Sequence, residues 1–399
     1  MNETSTARTS RLSSRWASIR DRWNDLSRPM QWLVGAPLIL LIALLPVINP
    51  PFIATTAVDF GATMAQVAMV ALIAIGLNVV VGQTGLLDLG YVGFYAVGAY
   101  VVALLTSPAS PLWDSIDHGL FSSPWAWLAC VPLAIIITGI TGVILGTPTL
   151  RVRGDYLAIV TLGFGEIVRL LADNLTGLTN GAAGLNNVLF PELGKSDAHP
   201  EGVFSNSNDS GISYGVWWYW LGIAAIIVVL LVVGNLERSR VGRSWIAIRE
   251  DEDAAEIMGV PTFKYKLWAF VIGAGVGGLS GAIYAGQVQY VDPKAFTVIN
   301  SMLFLCAVVL GGQGNKLGVI VGAFIVVYLP AKVQGVEVGG QSLGDYKYLF
   351  FGVALVLLMI FRPQGLFPAR ARLITFGRKV YSTARRVPES GTVAQEARS

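Results

Sequence analysis

Glu166 and Arg169 are the two residues of this chain that most invite a chemical question. They lie three apart inside an apolar run, residues 156–171. That spacing puts them on one helix face. Charges in apolar surroundings are expensive and usually line a polar route or pair with each other. One reading makes them a gate or part of a solute path; the other makes them an internal ion pair that locks two helices together. A second set of polar residues sits at the ends of apolar runs. Asn78, Gln83, Thr84 and Asp88 lie at or after the inner end of the second run, and Asn300, Ser301 and Gln313 flank the eighth. Amides and hydroxyls can bind the ammonium and carboxylate of a zwitterion without carrying a full charge. They can equally serve as hydrogen bonds between helices.

Catalytic chemistry finds no such foothold. Gly311-Gly312-Gln313-Gly314-Asn315-Lys316-Leu317 has glycines and a lysine, but the spacing of a phosphate-binding loop is wrong and leucine stands where a hydroxyl residue belongs. No His-Glu-x-x-His, thiol pair or nucleophile elbow occurs. His118 and His199 lie in polar stretches without metal-ligand spacing, and Cys130 and Cys306 each sit inside an apolar run. The expectation is a protein that is not an enzyme and binds neither metal nor cofactor. The net charge of +3 is no nucleic-acid footprint, because the basic residues are sorted along the chain by another rule.

The elements that must carry these residues are apolar helices. Of 399 residues, 54% are hydrophobic and 13% charged, where a soluble domain has about 25% charged. A lipid bilayer is the natural solvent for such a chain. Apolar runs fall at about 32–48, 64–81, 91–106, 124–146, 156–171, 217–234, 267–284, 297–310, 317–330 and 346–361. Several are shorter than the roughly 20 residues of a full crossing, so short or broken helices are expected. With the N-terminus inside, 23 of the 28 Lys and Arg fall on the inner side, as the positive-inside rule requires. The fold class is therefore an all-α, polytopic transmembrane helix bundle of about ten spans. Residues 1–31 form a polar cytoplasmic tail, 32–367 the membrane domain with an inner loop at 235–266, and 368–399 a second cytoplasmic tail.

Two devices stand out within this frame. Gly273, Gly277 and Gly281, four apart, put a small face on one span for close helix packing. Val-Gly-Gln-Thr-Gly at 81–85 is echoed by Gly-Gly-Gln-Gly at 311–314, which suits a transporter built from repeats, although chance explains so short a match equally well. In the loop 235–266, the run from Gly242 to Met258 has good helix formers and no breaker, with Gly259 and Pro261 to end it. Ala254, Ile257 and Met258 share one face. A short helix with a small apolar face needs a partner, either its own protein or another subunit.

Asp253-Ala254-Ala255-Glu256-Ile257-Met258-Gly259 resembles the Glu-Ala-Ala-x-x-x-Gly signature of bacterial importer permeases, with aspartate in place of glutamate. The stretches Leu150–Arg169, Thr179–Leu185 and Gly242–Gly259 are similar to the LivM-type branched-chain amino-acid permeases, and the resemblance runs from about residue 64 to 367. It implies the permease subunit of an ATP-binding-cassette importer in a bacterial inner membrane, with both termini cytoplasmic. Asp253, Ala254, Ala255, Ile257, Met258 and Gly259 would then couple to the ATPase subunits. The implied partners are two ATP-binding subunits holding ATP and Mg, a sister permease, an extracytoplasmic solute-binding protein, and a branched-chain amino acid as solute. The alternatives are a permease of the same class for urea or another small polar solute, and a stand-alone secondary transporter.

Overall fold

The computed structural model describes residues 37, 40–50, 53–55, 58–113, 125–152, 154–193, 202–205, 213–334, 337–338, 341–342, 346–361 and 365–367. The expected tails, 1–31 and 368–399, lie outside the described residues, as do His118 and His199. After an apolar helical segment at 40–48 come α1 (Phe60–Asn78), which runs on into a π turn (Val79–Gln83), α2 (Val92–Thr106), α3 (Ala126–Thr149), α4 (Asp155–Asn174) and the single turn α5 (Thr176–Thr179). Then follow α6 (Tyr214–Arg238), α7 (Arg240–Glu250), α8 (Glu252–Ile257), α9 (Thr262–Val288), α10 (Val298–Gly311), α11 (Lys316–Val333) and α12 (Lys347–Phe361). Strands are two-residue pieces: β1 (Leu185–Asn186) pairs antiparallel with β2 (Tyr290–Val291), and β3 (Glu337–Val338) with β4 (Gln341–Ser342).

Each of the ten apolar runs is thus helical where described. Among the described residues six helices are long and apolar enough to cross a bilayer, counting the 24 residues of α1 with its π turn. α2, at 15 residues, spans only about 22 Å at 1.5 Å per residue, short of the roughly 30 Å hydrocarbon core. α4 has 20 residues but carries Glu166, Arg169 and Asp173.

α1 is the hub. In its most apolar window 89% of residues are buried, against 33% for α3 and 28% for α11. It packs on α6, α9, α10 and α11, while α9 also packs on α2 and α3. The side chains left outward, such as Ile136, Ile140 and Ile144 on α3 and Val228, Leu231 and Val232 on α6, are aliphatic. That surface suits lipid and not water.

Helix starts are capped from the sequence. Asp59 accepts from the Ala62 N–H at 2.8 Å, and the Ser213 hydroxyl, which caps α6, donates to the same carboxylate at 2.6 Å. One acid therefore joins the starts of α1 and α6.

The glycine face of α9 meets α1 and α2 backbone to backbone. A methyl on Gly273 would lie 2.7 Å from Val80 and 3.2 Å from the Gly76 carbonyl; one on Gly277 would press on Phe94 at 3.1 Å. One on Gly281 would overlap the Tyr95 carbonyl, and one on Gly98 of α2 the Gly278 carbonyl. The Tyr91 hydroxyl donates to the Gly273 carbonyl at 2.6 Å across this seam.

Gly281→Leu should therefore destabilise the bundle by about 1–3 kcal/mol or more, the usual cost of overpacking, read as a lower thermal unfolding midpoint in detergent. Gly163→Ala is the control: nothing lies within 4 Å of its added methyl, and its midpoint should hold or rise.

Candidate functional site

The loop between α6 and α9 folds as a helical elbow. A single helix from Gly242 to Met258 is expected from propensity, but the chain breaks it at Asp251 (φ −159°, ψ 109°). The reason is local competition. The Asp251 carboxylate accepts from the Ala254 N–H at 2.9 Å, a cap that favours a fresh helix start over continuation. α8 then ends in a paired closure: the Gly259 N–H donates to the Glu256 carbonyl at 2.9 Å, and the Val260 N–H to the Ala255 carbonyl at 3.0 Å. Gly259, at φ +84°, supplies the left-handed residue this motif needs.

The elbow is rooted on one side and bare on the other. Trp245 is fully buried and donates from Nε1 to the Tyr265 carbonyl at 2.8 Å. The Lys266 ammonium, also buried, pairs with Glu252. Ala255 faces the bundle and is 5% exposed, whereas Ile257 is 85% and Met258 83% exposed. The apolar face that needs a partner is thus narrower than the motif: Ile257 and Met258 present it, and Ala255 anchors it.

The elbow touches the transmembrane core at a particular place. Arg249, at the end of α7, donates from Nη1 to the Gly82 carbonyl at 2.5 Å. Gly82 lies in the π turn, near a helix end where carbonyls lack intrahelical partners. Beside it, the Gln83 amide donates from Nε2 to Glu237 Oε1 at 2.7 Å, and the Lys316 ammonium donates to Glu237 Oε2 at 2.6 Å. One carboxylate at the end of α6 therefore joins the π turn to the start of α11. Asn78 accepts on Oδ1 from the Gly314 N–H at 2.8 Å, so the echoing loops 81–85 and 311–314 lie against each other at this end. Gln313 sits in the second loop, half-buried.

The other expected polar residues are elsewhere. Asn300 lies at the opposite end of the bundle and donates to the Ala295 carbonyl at 2.8 Å, a local turn contact. Arg169 donates from Nε (2.9 Å) and Nη2 (2.5 Å) to Glu166 Oε1. This pair is intrahelical, with side chains 23% and 36% exposed. It does not lock two helices, because both partners belong to α4. Six of the nine polar residues thus divide into a cluster at the elbow end, a turn contact at the far end and a pair on the face of α4; of the others, Thr84 donates to the Val80 carbonyl at 2.6 Å and Ser301 is buried in α10.

Sequence reasoning passed over Glu237 and Arg249, and weighed Lys316 only as the lysine of a phosphate-binding loop. Their signal was faint: charges at helix ends look like ordinary solvated termini. It also gave little weight to Asp88, in the connection between the π turn and α2. Asp88 is 1% exposed; Oδ1 accepts from the Gly90 N–H at 2.9 Å, while Oδ2 is buried without a hydrogen-bond partner. Burial pushes its carboxyl up from the ordinary 3.8 to about 6, against the opposing pull of the Gly90 N–H and Thr161. Among the described residues no group of three or more His, Cys, Asp or Glu could hold a metal, and Cys130 and Cys306 are buried free thiols.

Residues 60–359 match the family model described as branched-chain amino acid transport system / permease component. The chain is 38% identical over 344 residues to the high-affinity branched-chain amino acid transport system permease protein LivM of Salmonella typhimurium, covering 84% of this chain and 76% of that protein. With LivM of Escherichia coli K12 the identity is 37% over the same shares. With the corresponding permease BraD of Pseudomonas aeruginosa it is 25%, covering 74% of this chain and 90% of the relative. No solved structure matches the chain.

Two outcomes are expected here. An acid whose pKa is raised by folding opposes the folded state once it ionises. The Asp88 contribution to stability should be most favourable below about pH 4 and fall as pH rises toward about 6, where its penalty is complete. Asp88→Asn should flatten that slope, measured as unfolding midpoint against pH in detergent. Glu237→Ala strips the partner from both Gln83 and Lys316, and should cost about 1–3 kcal/mol in the same assay at pH 7.

Proposed function

The chain belongs to the branched-chain amino-acid transport permease family, and from that premise we propose how it works within its importer. It is a membrane-spanning permease that moves branched-chain amino acids; the chemistry of ATP hydrolysis belongs to other subunits. Two ATP-binding subunits dock at the α7–α8 elbow. A sister permease completes the membrane unit, and a solute-binding protein delivers the amino acid at the opposite end of the bundle. The elbow end is cytoplasmic, in a bacterial inner membrane, with both termini on that side. The stretch 235–266 supports this orientation with its six Lys and Arg.

The observation that carries the docking assignment is the exposure of Ile257 and Met258 on a rigidly closed turn. Two large apolar side chains held in water by a capped helix form a small plug suited to a groove. Ala254 and Asp253 flank it, Ala255 seats it and Gly259 closes it.

Arg249 gives docking a mechanical consequence. When ATP binding moves the elbow, the guanidinium draws on the Gly82 carbonyl and thereby on the π turn of α1. Because α1 is the hub, the motion reaches α6, α9, α10 and α11. Asn78, Gln83 and Gln313, at the inner end, then lie where a zwitterion leaves toward the cytosol. Glu166 and Arg169, on the partly open face of α4, form a charged patch toward a neighbouring subunit or the solute route.

Replacing Ile257 and Met258 together with Asp should reduce leucine uptake and recovery of co-purifying ATPase subunits by about tenfold or more, with helix content and unfolding midpoint unchanged. Uptake at the normal rate, or flux that survives exhaustion of cellular ATP, would exclude the docking assignment and point to a stand-alone transporter.

A further inference from the structure

The glycine-rich stretch Thr179–Leu185 has no part in the elbow, yet it organises the opposite end of the bundle. Gly181 (φ +57°) packs on the Asp173 carbonyl, so closely that a methyl there would lie 2.9 Å from it. Gly184 (φ +70°) packs on β2, where a methyl would lie 2.7 Å from the Val291 carbonyl and 3.1 Å from the Asp292 side chain. Leu185 then pairs with Val291 and Asn186 with Tyr290. The loop therefore draws the end of α4, with Asp173, toward the segment after α9, with Asp292.

What gathers there is negative and aromatic. Neither the Asp173 nor the Asp292 carboxylate has a hydrogen bond or ion pair among the described residues. Both are half-buried. Arg169 lies one turn before Asp173 and within its electrostatic reach, but its guanidinium donates its hydrogen bonds to Glu166. Lys294 is exposed on the turn after Asp292. The Tyr100 hydroxyl of α2 is buried with no hydrogen-bond partner among the described residues, and its residue is only 6% exposed. The helix that carries it packs on β1 and β2, directly before Asp292. Behind it stands a cluster of rings. Phe296 centres lie 5.9 Å from Tyr100, 5.9 Å from Tyr284 and 5.4 Å from Tyr95.

We propose that Asp173, Asp292 and the Tyr100 hydroxyl form a receptor for the primary ammonium group of the transported solute, a refinement that rests on the amino-acid reading above. The chemistry is selective in sign. Two carboxylates repel an anion, an unpartnered hydroxyl oxygen accepts a proton donor, and aromatic faces attract a cation. An ammonium has three donors for these three acceptors. A metal is disfavoured, since no cluster of three or more ligating side chains is present among the described residues. The site lies at the end where solute enters, so it reads the amino group before the aliphatic side chain reaches the bundle.

The test uses the whole importer, purified with its partner subunits, and radiolabelled leucine. Competitors are 3-methylbutylamine, which keeps the ammonium, and 4-methylpentanoate, which keeps only the carboxylate. The amine should compete and the acid should not. In an Asp173→Asn, Asp292→Asn double variant, affinity for leucine and amine should fall by about tenfold or more, and in Tyr100→Phe by a few-fold. Equal affinities in the double variant, or competition by the acid as strong as by the amine, overturn the receptor while leaving leucine transport standing. A complex that ignores leucine yet binds the amine through these aspartates keeps the receptor and removes the leucine assignment. A complex that binds neither removes the receptor.

Discussion

Close approach of helix backbones is the constraint on which this molecule depends. In lipid there is little hydrophobic force between helices, so packing must come from contact area and hydrogen bonds. α9 meets that demand with Gly273, Gly277 and Gly281, which let it lie directly on α1 and α2. The Tyr91 hydroxyl can reach the Gly273 carbonyl only because no side chain keeps the helices apart. The short α2 depends on the same seam for its place in the bundle. The aromatic cluster around Phe296 borders the seam, since Tyr95 and Tyr284 come from the two helices that form it.

The two ends of the bundle do different physical work. At the elbow end, charges are paired: Glu237 with Lys316, Glu252 with Lys266, Arg249 with a helix carbonyl. Paired groups transmit displacement, because moving one strains the other. At the far end, glycine turns and a two-residue strand pair hold Asp173 and Asp292, whose carboxylates have no hydrogen bond or ion pair among the described residues. A carboxylate without such a bond keeps its capacity for something else. In the proposed mechanism the first end takes up force and the second takes up solute.

Much of the bundle was legible in the sequence because its strongest signals are long and redundant. Ten apolar runs each contain described helix, and the four-residue glycine spacing on α9 translated directly into a packing face. What failed did so where two local preferences compete. Gly242–Met258 is uniformly good helix sequence, and nothing in propensity says that Asp251 will spend its side chain on the Ala254 N–H. The spacing of Glu166 and Arg169 was right, but whether they face each other or another helix is a rotamer question that sequence does not answer. Glu237 was invisible for a different reason. Its partners, Gln83 and Lys316, are 154 and 79 residues away, and only the tertiary fold brings them within reach.

The five residues of the π turn at the foot of α1 have a kinematic meaning. Bonding from i to i+5 in place of i+4 stores about one residue of slack in the coil. If that slack were taken up into ordinary α-helix, Gln83 would swing by about 100° around the axis and advance about 1.5 Å. Such a ratchet changes which way an amide points while leaving the bulk of the rod where it was. A screw of this sort would convert a small tug, passed through Arg249 to the Gly82 carbonyl, into an altered lining.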